Sequence, residues 1–74
     1  MNKYRIIIFK QFNLIPEIFT MLSPHSMEEI CKIINTGLNG NAISFTDMKG
    51  QVRFYDRNVI TKIFIKTIEC DYED

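Results

Sequence analysis

Seventy-four residues with no net charge at neutral pH bound the problem tightly: one small domain, whose core is marginal enough to gain from a partner or a second copy. Two cysteines, Cys31 and Cys70, are too few for a disulfide framework, and no apolar run approaches the roughly 20 residues that a membrane-spanning helix needs. Met1–Gln11 has no stretch of secretion-signal length, so reduced thiols and a cytoplasmic protein are expected.

Lys3–Gln11 (KYRIIIFKQ) reads as a strand. Tyr4, Ile6 and Ile8 form one face and Arg5, Ile7 and Phe9 the other, so both faces ask for cover. Asn13-Leu14-Ile15-Pro16 interrupts it. Pro16 suits the first position of a short helix over 15–22, whose Ile15, Ile18, Phe19 and Leu22 recur at helical spacing; a structured loop is the alternative.

Ser23-Pro24-His25-Ser26 is punctuation. Ser26 and Glu29 make the S-x-x-E capping box, and Met27, Ile30, Cys31, Ile34 and Leu38 follow as an apolar stripe. The spacing predicts an amphipathic helix over 26–36, with Gly37 as its left-handed terminator and Cys31 buried on the apolar side.

Residues 42–68 then predict three strands in an antiparallel meander. Ile43 and Phe45 alternate with polar residues, as do Val52 and Phe54. Val59–Ile68 is rich in β-branched residues. Asp47-Met48-Lys49-Gly50 and Asp56-Arg57-Asn58 supply the turns.

The expected architecture is therefore an α+β two-layer fold over residues 1–68. A four-stranded, mainly antiparallel sheet, β-(short α)-α-β-β-β, carries the capped helix on one face, with a short acidic tail at 69–74. Ile6, Ile8, Ile43, Phe45, Val52, Phe54, Ile63 and Ile65 are the expected helix-facing core. The apolar first and last strands are expected to be neighbours, in the strand order 2-3-4-1. Residues 1–68 hold nine basic and five acidic side chains, a net of +4, and Glu69, Asp71, Glu73 and Asp74 return −4.

No catalytic, cofactor-binding or metal-binding set emerges. His25 stands alone beside a helix start, the acids are explained by caps and turns, and the glycines lack the company of a phosphate loop. The chemistry is expected on the sheet face turned away from the helix. Ile7, Phe9, Tyr55, Ile60, Phe64 and Ile68 form an apolar patch suited to a protein partner or a homodimer. Arg5, Arg53, Lys62 and Lys66 among the aromatics suit a nucleic acid as the alternative. If the 15–22 helix folds over this face, the patch is simply core.

The composition adds one association. Phe, Tyr, Met, Ile, Asn and Lys total 38 residues against nine Gly, Ala, Arg and Pro, a skew typical of AT-rich coding. In size and composition the chain resembles small phage or mobile-element accessory proteins, which implies a non-enzymatic binder that blocks a host macromolecule. A multimeric sponge for a nucleotide-like ligand is a further alternative.

Overall fold

The computed structural model describes residues 1–68. In chain order they form strand β1 (Asn2–Lys10), strand β2 (Glu17–Ser23), helix α1 (Met27–Leu38), strands β3 (Ala42–Thr46) and β4 (Val52–Asp56), a 3-10 turn at Arg57–Val59, and strand β5 (Ile60–Ile68). The fold is α+β with antiparallel pairing throughout, but it has five strands in two sheets rather than one four-stranded sheet. The larger sheet has the order β2-β1-β5, and β3 and β4 form a separate hairpin. The expected acidic tail lies outside the described residues.

The first correction is β2. Ile15–Leu22 matches a helical stripe, yet Glu17–Ser23 runs as a strand from Ile8↔Glu17 to Asn2↔Ser23 along β1. Its own alternation explains this: Phe19, Met21 and Ser23 point inward and are buried, while Ile18, Thr20 and Leu22 point outward. An eight-residue helix is below the length that nucleates well in water. A strand instead satisfies the edge of β1 and keeps the β-branched Ile18 and Thr20 in a favourable conformation.

The meander is the second correction. β5 does not pair with β4; it returns to β1, in register from Lys3↔Ile68 to Phe9↔Lys62. The first and last strands are indeed neighbours, and β1 lies at the centre. At the reversal the Asn58 backbone N–H donates to the Asp56 carboxylate at 2.9 Å. Arg57 N–H donates to the Asn41 carbonyl at 3.1 Å, and Gln11 N–H to the Val59 carbonyl at 2.8 Å, which tie the crossing to both sheets. Asp56-Arg57-Asn58 is thus a turn, as its residues indicate, but one that changes sheets.

The core lies between the inner face of the large sheet, α1 and the hairpin. Tyr4, Ile6 and Ile8 are its most deeply buried side chains, with Phe19 and Met21 beside them, Ile30 and Ile34 from α1, and Ile43, Phe45 and Tyr55 from the hairpin. An edge-on contact between Phe19 and Phe45 (5.5 Å) joins the two sheets, and Phe45 in turn packs edge-on against Tyr55 (6.2 Å) within the hairpin.

Val52 and Phe54, expected in this core, are 54% and 75% exposed. The five-residue loop between Thr46 and Val52 sets Ile43 opposite Tyr55 and Phe45 opposite Arg53. Residues opposite one another in an antiparallel pair share a face, so Tyr55 goes inward and Phe54 outward.

Helix α1 starts as expected. Ser26 Oγ accepts from Glu29 N–H at 3.3 Å, and Glu29 Oε1 accepts from Ser26 N–H at 2.9 Å. Its end differs: Gly37 is inside the helix, and Asn39 caps it with right-handed backbone angles. A Cβ at position 37 would stand 3.0 Å from Ile43 Cγ1, so glycine is there to let α1 approach β3. Cys31 is exposed rather than buried. No helix among the described residues is long and apolar enough to cross a membrane.

Candidate binding surface

The outer face of the large sheet is built row by row from the strand register. Lys3 of β1 lies between Leu22 of β2 and Ile68 of β5, and Arg5 between Thr20 and Lys66. Ile7 lies between Ile18 and Phe64, and Phe9 is opposite Lys62. Paired residues of antiparallel strands share a face, so these side chains all look the same way.

An apolar band therefore crosses all three strands at Ile18, Ile7 and Phe64, continued by Phe9. The Phe9 and Phe64 rings meet edge to face at 5.6 Å. Lys62 Nζ sits 5.9 Å from the Phe9 centroid and 5.5 Å from that of Phe64. Arg5 and Lys66 bound the band on the opposite side. The face carries Lys3, Arg5, Lys62 and Lys66 and no carboxylate among its described residues.

Ile18 (58%), Phe64 (49%) and Leu22 (46%) are substantially exposed, and nothing in the described chain lies over them. The segment expected to fold across this face as a helix is one of its three strands. The band is accordingly open to solvent at Ile18 and Phe64, with Ile7 and Phe9 partly buried between and beside them.

Of the patch foreseen in the sequence, Ile7, Phe9, Phe64 and Ile68 do come together, with Arg5, Lys62 and Lys66 around them. Three residues do not. Tyr55 is buried in the core, and Arg53 lies on the same inward side of β4. Ile60 packs against the core because of a bulge. The register slips between Phe9 and Lys10, so that Lys10 faces Ile60 and Thr61 is the extra residue; beyond it the alternation is reversed. Lys3, Ile18, Thr20 and Leu22, the contribution of β2 and its neighbours, were not foreseen. Their signal was the alternation of Ile18, Thr20 and Leu22 with Phe19 and Met21.

A second polar cluster joins the two sheets. Glu17 Oε2 accepts from Lys10 Nζ at 2.6 Å, and Glu17 Oε1 accepts from the Tyr55 hydroxyl at 2.6 Å and from Arg53 at 3.3 Å. Arg53 Nε also donates to Asp47 Oδ2 at 3.1 Å, and its guanidinium lies 4.7 Å from the Phe19 centroid.

The bond from Lys10, then that from Tyr55, holds the Glu17 carboxyl below its ordinary value. Burial, reinforced by the bond to the Glu17 carboxylate, pushes the Tyr55 phenol up to about 12. Burial works against the Asp47 carboxylate, but the Gln51 N–H, Arg53 and the Lys49 N–H together still hold it low. Every one of these groups is engaged inside the fold, which makes the cluster a latch between sheets.

Between α1 and β5 runs a groove of about 370 Å³, floored by Ile34, Leu38, Ile60, Ile63 and Ile65. The β1–β2 connection carries Phe12, Leu14 and Ile15 as wholly or largely exposed side chains, with Phe12 at φ 61° where the chain turns. Among the described residues no three His, Cys, Asp or Glu side chains gather where a metal ion could sit. Comparison with protein-family models, with curated proteins and with solved structures returned no match.

Proposed function

We propose that this chain is a non-enzymatic binding module that occupies a protein partner through the open face of its three-stranded sheet. The observation that carries the reading is the Ile18–Ile7–Phe64–Phe9 band, exposed at Ile18 and Phe64 and flanked by Arg5 and Lys66 on one side and Lys62 on the other, on a face without carboxylates among its described residues. Such a surface fits a partner that presents apolar side chains among acidic ones. Burial of the band supplies affinity, and the cations set orientation and speed of encounter. The small size and AT-rich composition support an accessory protein of phage or mobile-element type, acting by obstruction of a host protein.

The same charge pattern argues against two copies meeting face to face. That arrangement would oppose Arg5, Lys62 and Lys66 with their own duplicates, and the described residues of the face offer no acid to either set. Single-stranded nucleic acid is the second reading, supported by the cations around two phenylalanines. It is the weaker one, because the edge-to-face contact of Phe9 with Phe64 and the lysine over both leave little ring surface for a base to stack on.

Affinity capture from extracts of the native host, with wild type beside Arg5→Glu/Lys66→Glu, tests the proposal. A protein retained by wild type and lost from the charge-reversed variant supports it. Equal retention by both removes the sheet face from the interaction. Retention of single-stranded oligonucleotide at low salt, weakening steadily as salt rises, transfers the face to nucleic acid.

A further inference from the structure

Sheet faces aside, this fold has strand edges, and they are not equivalent. β3 and β4 are five residues each, too short to template much pairing. The outer edge of β2 is partly closed by the hairpin loop, whose Met48 N–H donates to the Thr20 carbonyl at 3.0 Å. β5 differs from all of these. It is nine residues long, contains no proline and runs without interruption beyond its bulge at Thr61. Its only strand partner among the described residues is β1. Among those residues, no backbone hydrogen bond reaches its far edge.

The core is also unfinished on that side. The hairpin closes the inner face over β2, whereas Ile60, Ile63 and Ile65 remain only partly buried along the groove between β5 and α1. An added strand would complete both the hydrogen-bond ladder and the apolar layer beneath it.

We propose that β5 is the self-association edge of this protein: two copies pair β5 with β5 antiparallel about a two-fold axis, giving one continuous six-stranded sheet. The strand is complementary to itself in a way that selects the register. Centring the axis on Phe64 would oppose Lys62 with Lys66 of the other copy, twice over, and like charges directly opposite are unfavourable. Centring it on Ile65 removes that conflict. Phe64 then faces the second copy's Lys66, Lys62 faces Ile68, and Ile63 faces Thr67, with the two Ile65 side chains meeting on the inner face beside the grooves. An isologous contact of this kind closes on itself and leaves no further edge of β5 to grow from. It also keeps both cationic outer faces free, so it does not depend on what those faces bind.

Charge at position 64 separates this arrangement from a face-to-face dimer. Phe64→Lys puts a lysine opposite Lys66 in both halves of the edge dimer and should weaken it by roughly tenfold. Phe64→Glu puts a carboxylate opposite the same lysine and should leave the edge dimer intact. In a face-to-face dimer both variants place a charge in a desolvated band and both dissociate it.

Sedimentation of wild type, Phe64→Lys and Phe64→Glu over a concentration series decides, together with hydrogen exchange on wild type. The expected result is a wild-type dimer kept by Phe64→Glu and split by Phe64→Lys. Every second β5 amide, those pointing away from β1, should become more protected as concentration rises. Dissociation by both variants, no change with either, or a wild-type monomer at roughly 100 µM would overturn the proposal. If circular dichroism shows that a variant is unfolded, exchange of the wild-type β5 amides settles the question alone, and protection that does not change with concentration overturns the proposal.

Discussion

Removal of Glu17 should cost this fold more than removal of any hydrogen bond donor that serves it. Among the described residues Glu17 is the one acid shared by β1, through Lys10, and by the hairpin, through Tyr55 and Arg53. In Glu17→Ala the Tyr55 hydroxyl keeps its buried position and loses its acceptor, which costs about 1–3 kcal/mol. The ion pairs add less. The side chains of Lys10, Arg53 and Glu17 are 22%, 33% and 34% exposed, so solvent screening limits each pair to about 0.2–1 kcal/mol. Arg53 also retains Asp47. At the middle of these ranges the total is about 3 kcal/mol, or roughly 12–24 °C in melting temperature for a chain of this size.

Tyr55→Phe removes the donor instead. Glu17 keeps two cations, and the loss is about 1 kcal/mol. The double variant should be no worse than Glu17→Ala, since the orphaned hydroxyl is then gone. Urea or thermal unfolding followed by circular dichroism gives all three values. A Tyr55→Phe loss as large as that of Glu17→Ala, or a double variant whose loss is the simple sum, would refute the assignment of the latch.

Two further outcomes concern acid stability and the approach of α1 to β3. The Glu17 and Asp47 carboxyls titrate lower in the folded chain than in the unfolded one, so their contribution is complete above the ordinary values of 4.5 for Glu17 and 3.8 for Asp47 and is lost as pH falls through the lower folded values. Stability measured by melting should decline in that acid window, with a shallower decline in Glu17→Gln. Gly37→Ala should destabilise despite the roughly 1 kcal/mol that alanine gains over glycine in a helix, because the new methyl meets Ile43 Cγ1 at 3.0 Å and its Cβ at 3.3 Å; a gain on urea unfolding would show that Ile43 yields freely.

The legible parts of this sequence were those in which one local signal had one interpretation. The capping box at Ser26 and Glu29, the apolar runs of β1 and β5, and the Ile43/Phe45 alternation all yield the elements expected of them. Residues 15–22 satisfy two periods at once, and the choice was made by the free edge of β1, a tertiary fact. The phase of β4 was hidden for a related reason. In Val52-Arg53-Phe54-Tyr55 the more apolar pair, Val52 and Phe54, faces outward. Arg53 and Tyr55 face inward because their polar ends meet Glu17, 36 and 38 residues earlier in the chain, and no local window contains that acid.

The misreading of 15–22 also bears on what the outer face can offer. Were 15–22 a helix laid over β1 and β5, Ile7, Phe9 and Phe64 would be core and the surrounding lysines a solvated rim. Because that segment is β2, the face gains Ile18 and Leu22 in place of cover, and the hydrophobic surface grows where folding leaves it wet. Its cations then separate two needs that one apolar patch could otherwise have met together. A second copy brings the same positive charge to that face, whereas an acidic partner brings the opposite one. Self-association is better served by β5, where the outer edge of the backbone is open and a one-residue shift of the axis turns lysine against lysine into lysine against phenylalanine. Assembly at the edge and capture on the face then share only the outward side chains of β5, Lys62, Phe64 and Lys66, while Arg5, Ile7, Phe9 and Ile18 serve the face alone.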